Sequence, residues 1–223
     1  RKVLKLFHQD YPFAAIEKEY KNALVIKNMK FLKPKVYDLI SYGDRWGIVY
    51  DKVEGETLLE WLMKTGDIEK CALIMSDLHK KITKNETQEV QSYKEFLKYH
   101  LPSKLSPIKR KALIEKINRL ADGHTLCHGD FHPGNILVAD EHAYAIDFMN
   151  ICYGNKLYDI ARTVFLVEYS SIPQEMESKD AIMLFRKELA DKYLLQMNIT
   201  RDMIQEYIDI ITEIRDEEMM KKL

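Results

Sequence analysis

Residues 127–148 read CHGDFHPGNILVADEHAYAIDF, and the rest of the chain is best understood from this stretch outward. Residues 125–127, 136–138 and 144–146 are short β-like runs separated by turn residues, set between segments with helical patterning. Asp130 and Asn135 stand five apart across a loop that Pro133 and Gly134 keep out of regular helix or strand. Asp147 follows a hairpin and so can fold back beside Asn135. A carboxylate and an amide oxygen brought together suit Mg²⁺, a hard cation that takes few oxygens from protein and the rest from phosphate and water. A second carboxylate nearby, Asp130, can orient a hydroxyl nucleophile.

Upstream, residues 3–7 (VLKLF) read as a strand carrying Lys5 among apolar neighbours. Residues 12–29 predict a helix, with Ile16, Tyr20, Ala23 and Ile26 at three- and four-residue spacing. Glu19 lies near that stripe and can meet Lys5, whereas Glu17 points about 115° away from its centre line. Residues 36–40 and 46–50 predict two strands joined by a turn around Gly43. After Gly55 the texture becomes helical. Thr57 and Glu60 form a capping box, Gly66 closes that helix, and Asp67 caps the next, whose apolar face holds His79. Residues 88–100 predict a helix capped by Thr87, and Ser106-Pro107 opens another that runs to Gly123. From Leu157 onward the pattern is again helical.

His128-Gly129-Asp130, Asn135 at the spacing of a kinase catalytic loop, and Asp147-Phe148 twelve residues later match the H-R-D-x-x-x-x-N and D-F-G signatures. Lys5, Glu19, Asp130, Asn135 and Asp147 in this order are far more specific than any one motif. HGDFHPGNIL followed by AIDF and YDIAR resembles the aminoglycoside phosphotransferase and choline kinase-like family of small-molecule kinases. Gly129 and His132 favour that family over ordinary protein kinases.

The resemblance implies an α+β, protein-kinase-like, two-lobed fold with a small β-rich N-lobe and a larger, mainly helical C-lobe. Residues 1–50 would be an incomplete nucleotide-binding lobe, 51–55 the hinge, and 56–223 the lobe with the catalytic loop and substrate site. It implies transfer of the γ-phosphoryl of ATP or GTP to a hydroxyl of a small acceptor, cationic ones included. Asp130 would be catalytic, Asn135 and Asp147 would hold Mg²⁺, and Lys5 with Glu19 would position the phosphates. Tyr50, Asp51, Lys52 and Val53 would meet the purine, and His128 and Asp159 would support the loop. Met149 stands where protein kinases carry glycine. The first glycine is Gly43, so the glycine-rich phosphate loop is expected upstream of Arg1.

The 34 basic and 35 acidic residues leave a net charge of −1, which gives no general attraction to nucleic acid. No apolar run approaches the roughly 18 residues of a membrane span. Three widely spaced cysteines form no C-x-x-C pair, so the expectation is reduced thiols in the cytoplasm. Plainer readings stand beside several residues. His124, His128 and His132 are spaced by four, but the intervening Gly129, Pro133 and Gly134 argue against a helical zinc site. His79 reads as a core histidine, Asp159 with Arg162 as an i,i+3 pair, and 213–218 (EIRDEE) as a solvated face. Two other functions are open to the sequence: a pseudokinase-like ligand-binding module and an atypical protein kinase.

Overall fold

The computed structural model describes residues 1–169 and 179–219. Its first third is a three-stranded antiparallel sheet, β1 (Lys2–Leu6), β2 (Val36–Tyr42) and β3 (Arg45–Asp51), in the order β1-β3-β2. Lys5 sits opposite Ile48 on the central strand. Helix α1 (Phe13–Val25) packs on this sheet through Ile16, Glu19, Asn22 and Ala23. It is shorter than residues 12–29, because the following turn serves other partners. Leu32 accepts from the Ala145 amide, the Lys30 amide donates to Asn85, and Lys33 donates to the carbonyls of Met29 and Phe31.

Strand β4 (Glu56–Thr57) leads into α2 (Leu58–Thr65) and then α3 (Ile68–Ile82). The Thr57 hydroxyl accepts from the Glu60 amide, and the Glu60 carboxylate accepts from the Thr57 amide. Gly66 closes α2 in the left-handed region at φ 66°, and Asp67 caps α3. Replacing Thr57 by alanine is expected to cost about 1 kcal/mol, or roughly 2–4 °C in melting temperature for a chain of this size. A calorimetric melt of the variant checks this.

Helices α4 (Tyr93–Tyr99) and α5 (Pro107–Arg119) are both shorter than the sequence predicts. Ser92, not Thr87, caps α4, because the ends of the preceding stretch, Glu86 and Ser92, are drawn into bridges with other strands. Glu86 bridges Thr125, Ser92 bridges Tyr153, and the Thr87 amide donates to His124. Helix α5 ends before Gly123, whose backbone lies too close to Gly154 for a side chain. Strand β5 (Thr125–Cys127) pairs antiparallel with β8 (Cys152–Gly154), a strand the sequence did not announce. A Cβ on Gly154 would stand 2.1 Å from the Tyr93 ring, so α4 can seat on β8 only over glycine.

A 3₁₀ turn at Pro133–Asn135 leads into the hairpin of β6 (Ile136–Ala139) and β7 (His142–Ala145), with β6 central between β4 and β7. Three long helices complete the molecule: α6 (Lys156–Tyr169), α7 (Lys179–Met197) and α8 (Arg201–Met219). Helix α3 packs along α7, and α6 packs against both α7 and α8. One buried cluster runs from Phe7 and Ile16 through Leu58, Phe131 and Phe148 to Ile214, so sheet and helices share a core. All three cysteines are free and buried. No helix among the described residues is long and apolar enough to cross a membrane. In the acidic run, Glu213 pairs with Lys116 at 2.6 Å; the side chains of 216–218 lie outside the described residues.

Candidate active site

Lys5, on β1, reaches across to α1. Its Nζ lies 2.7 and 2.9 Å from the two Glu19 oxygens and 3.2 Å from Asp147 Oδ1. Glu19 is 1% exposed, a carboxylate that would be costly to bury without this ammonium. Burial works to lower the Lys5 pKa, but Glu19 and Asp147 outweigh it and raise it, so the lysine stays charged. Burial pushes the Glu19 carboxyl up against the pull of Lys5. Tyr50 is buried, and its hydroxyl donates to Glu19 at 3.3 Å. Of the stretch expected to meet a purine, the Asp51 amide donates to Lys35 and the Lys52 amide to Arg1. The Asp51 carboxylate accepts from Tyr37, Lys52 pairs with Glu54, and Val53 is half-buried.

The catalytic-loop candidates gather below. Asn135 donates from Nδ2 to the Asp130 carbonyl at 2.9 Å and to Asp130 Oδ2 at 3.3 Å. The Ile146 amide donates to the Asn135 carbonyl, which brings the backbone before Asp147 alongside Asn135. Asp147 itself has φ 66°, a left-handed conformation that side chains seldom adopt, and it meets Lys5 from there. His128 is buried, its Nε2 donates to the Ile146 carbonyl at 3.2 Å, and its ring lies against Phe131 and Phe148. Burial lowers its pKa and favours the neutral ring. Gly129 has φ 74°, and a Cβ there would come within 2.2 Å of the Asn150 carbonyl. Glycine is therefore required immediately before Asp130.

Asp159 lies under this loop with no exposed surface. Its carboxylate accepts from the His128 amide at 2.6 Å, the Gly129 amide at 2.8 Å and His79 Nε2 at 2.9 Å. Burial alone would raise its pKa, but His79 and the Gly129 amide hold it below the usual carboxylate range. The other His79 nitrogen meets the Tyr193 hydroxyl at 2.5 Å, and Phe131 lies against its ring. Arg162 donates to the Gly129 carbonyl at 3.2 Å. So α3, α6 and α7 all converge on the backbone that presents Asp130.

The sequence singled out His79 and Arg162 only as structural residues. Their partners are far away in the chain, which spacing cannot reveal. Asn22 was not singled out at all. Its Nδ2 donates to the Phe148 carbonyl at 2.9 Å and the Met149 carbonyl at 3.2 Å, fastening α1 to the segment after Asp147. A buried asparagine beside Glu19 on the inner face of a helix was the available signal.

Asn135 commits its amide hydrogens to Asp130, so its Oδ1 is the atom left to accept. Asp147 keeps one carboxylate oxygen beyond Lys5. Two hard oxygen donors of this kind suit Mg²⁺, which completes its shell with phosphate and water. Among the described residues no group of three or more His, Cys, Asp or Glu side chains could hold a metal by itself.

The model of the phosphotransferase enzyme family, APH, matches residues 1–186. None of the curated proteins matches the chain. Solved structures do. An amicoumacin kinase in complex with AMP-PNP and Ca²⁺ superposes with a TM-score of 0.59 at 17% identity, covering 96% of this chain and 72% of that one. An aminoglycoside phosphotransferase from Streptomyces rimosus, in complex with ADP and streptomycin, gives 0.56 at 14% identity, covering 94% and 85%. A choline/ethanolamine kinase family protein from Mesorhizobium loti gives 0.54 at 12%, covering 96% and 71%. At these identities the likeness is one of fold: α+β and protein-kinase-like, with a small β-rich part and a larger helical one.

Proposed function

Because this chain belongs to the phosphotransferase enzyme family, we propose that it transfers the γ-phosphoryl group of ATP or GTP to a hydroxyl of a small-molecule acceptor. The observation that carries this reading is the convergence of Lys5, Glu19 and Asp147 on one side with Asn135 and Asp130 on the other. Residues 1–50 act as the nucleotide lobe, 51–55 as the hinge, and 56–223 as the lobe that takes the acceptor. With the Asp51 and Lys52 amides already paired, the backbone donors this stretch leaves for a purine are those of Val53 and Glu54.

Lys5, held by Glu19, fixes the phosphate chain. Asn135 and Asp147 hold Mg²⁺, which when bound offsets negative charge on the phosphates. Asp130 orients the acceptor hydroxyl and accepts its proton at a carboxylate oxygen. Asn135 fixes the rotamer of that carboxylate through the contact to Oδ2. Phosphoryl transfer needs little covalent help from protein, so positioning and electrostatics supply most of the rate.

Acceptor-dependent release of nucleoside diphosphate, measured with Mg²⁺ and ATP or GTP, tests the reading. A panel of aminoglycosides, choline, ethanolamine, homoserine and neutral alcohols supplies the acceptors. Release stimulated by at least one acceptor supports it; tight nucleotide binding with no release from any acceptor favours a binding module instead. Asp147→Ala is expected to abolish the Mg²⁺-dependent part of nucleotide affinity. Titration calorimetry with and without Mg²⁺ reads this, and an unchanged metal dependence argues against ligation by Asp147.

A further inference from the structure

A cavity of about 610 Å³ opens between α2, α6 and α7, and the catalytic loop forms one of its walls. His132, Pro133 and Gly134 line that wall. His132 is two residues from Asp130, so their Cα atoms are at most about 7.6 Å apart. The other walls are apolar, with Leu59 and Met63 from α2 and Phe185 and Leu189 from α7. No Asp or Glu stands among the described lining residues; the ionisable ones are His132 and Arg186. The volume falls within the usual range for small-molecule sites. Of the α2 residues that line it, Met63 is 73% and Leu59 46% exposed.

We propose that this cavity receives the apolar, non-reacting body of the acceptor, whose hydroxyl is presented to Asp130. The acceptor is then an alcohol with a substantial hydrocarbon portion. A polyamine entering here would shed its hydration shell against walls whose described residues are largely apolar. An alkyl or ring body leaves water for a wall of like polarity and gains in proportion to the area buried. The identification of the occupant as acceptor rests on the kinase reading above; the preference of the cavity for apolar matter rests on its walls alone.

A homologous series separates the two. Hexyl, heptyl and octyl β-D-glucosides carry the same sugar hydroxyls and differ only in tail length. Their affinities are measured by titration calorimetry below the micelle concentration, on the protein with a non-hydrolysable ATP analogue. Affinity is expected to rise about fourfold per added methylene. Leu59→Glu with Met63→Glu, both at exposed positions, is expected to flatten the series while leaving the melting temperature and nucleotide affinity near those of the parent. Affinity independent of tail length overturns the proposal, and so does a series that the double variant leaves unaltered. Nucleoside diphosphate release is read in parallel. Graded binding without release supports the apolar cavity and counts only against the kinase reading. Release driven by a polycation such as kanamycin, with no graded binding, upholds the kinase reading and overturns the apolar acceptor.

Discussion

Asp130→Ala is expected to remove phosphoryl transfer while nucleotide affinity stays close to that of the parent protein. The side chain is only partly buried, and its carboxylate accepts from Asn135 Nδ2 at 3.3 Å. Asn135 keeps its shorter bond to the Asp130 carbonyl, so its amide stays in place after truncation. The nucleotide contacts proposed for Lys5, Asn135 and Asp147 do not pass through the missing carboxylate. What disappears is the group proposed to align the acceptor hydroxyl and take its proton, a loss of about 10²- to 10⁴-fold on general-base precedent. Acceptor phosphorylation followed by mass spectrometry, beside calorimetric nucleotide binding, makes the comparison. Turnover near the parental rate removes Asp130 from the chemistry. A parallel loss of nucleotide binding rejects the division of roles.

The second large effect is structural. Asp159→Ala strips acceptors from the His128 and Gly129 amides and from His79 in a region closed to water. Removing one member of a buried charged network costs about 3–5 kcal/mol. For a chain of this size that is a fall of roughly 6–20 °C in melting temperature. Activity falls as well, because the freed amides lie immediately before Asp130. Asp159→Asn is nearly as damaging, since one of its two polar atoms becomes a donor facing donors.

The same carboxylate sets an acid limit. Its folded pKa lies below the ordinary value, so its stabilisation is complete above the unfolded pKa of about 3.9 and is lost as pH falls through the folded value. Urea denaturation at a series of pH values should show the parent losing stability below about pH 4. The asparagine variant should lack that component. Parallel curves for the two proteins in that window would assign the acid sensitivity elsewhere.

Much of this arrangement is legible in the sequence, and the reason is local. Thr57 with Glu60, Gly66, Asp67 and the Ser106-Pro107 pair declare helix ends within a few residues of where they act. Lys5 and Glu19 stand on neighbouring elements, so strand alternation and helical spacing suffice to bring them together. Long-range pairings leave no such mark. Strand β8 is three residues long and pairs with a strand 25 residues earlier, and neither has a period that could be counted. The helix expected over 88–100 lost its first turn to the same β5–β8 pair, although Ser92 and Glu95 were the better capping signal. His79 was recognisable as buried, but its role depends on Asp159, 80 residues away, and Tyr193, 114 residues away. A histidine on an apolar stripe looks the same whether it fills space or holds a carboxylate.

The bonds from Asn22 to the Phe148 and Met149 carbonyls bear on how such a protein can be controlled. In a molecule whose α1 swings outward to break a lysine–glutamate pair, activity can be gated by a distant signal that moves the helix. Here an outward swing would break the buried bond to the Phe148 carbonyl and the part-buried one to Met149, in addition to parting Lys5 from Glu19. The helix is stapled shut. On the proposed reading, a signal acting through α1 would have to break these contacts together with the lysine–glutamate pair.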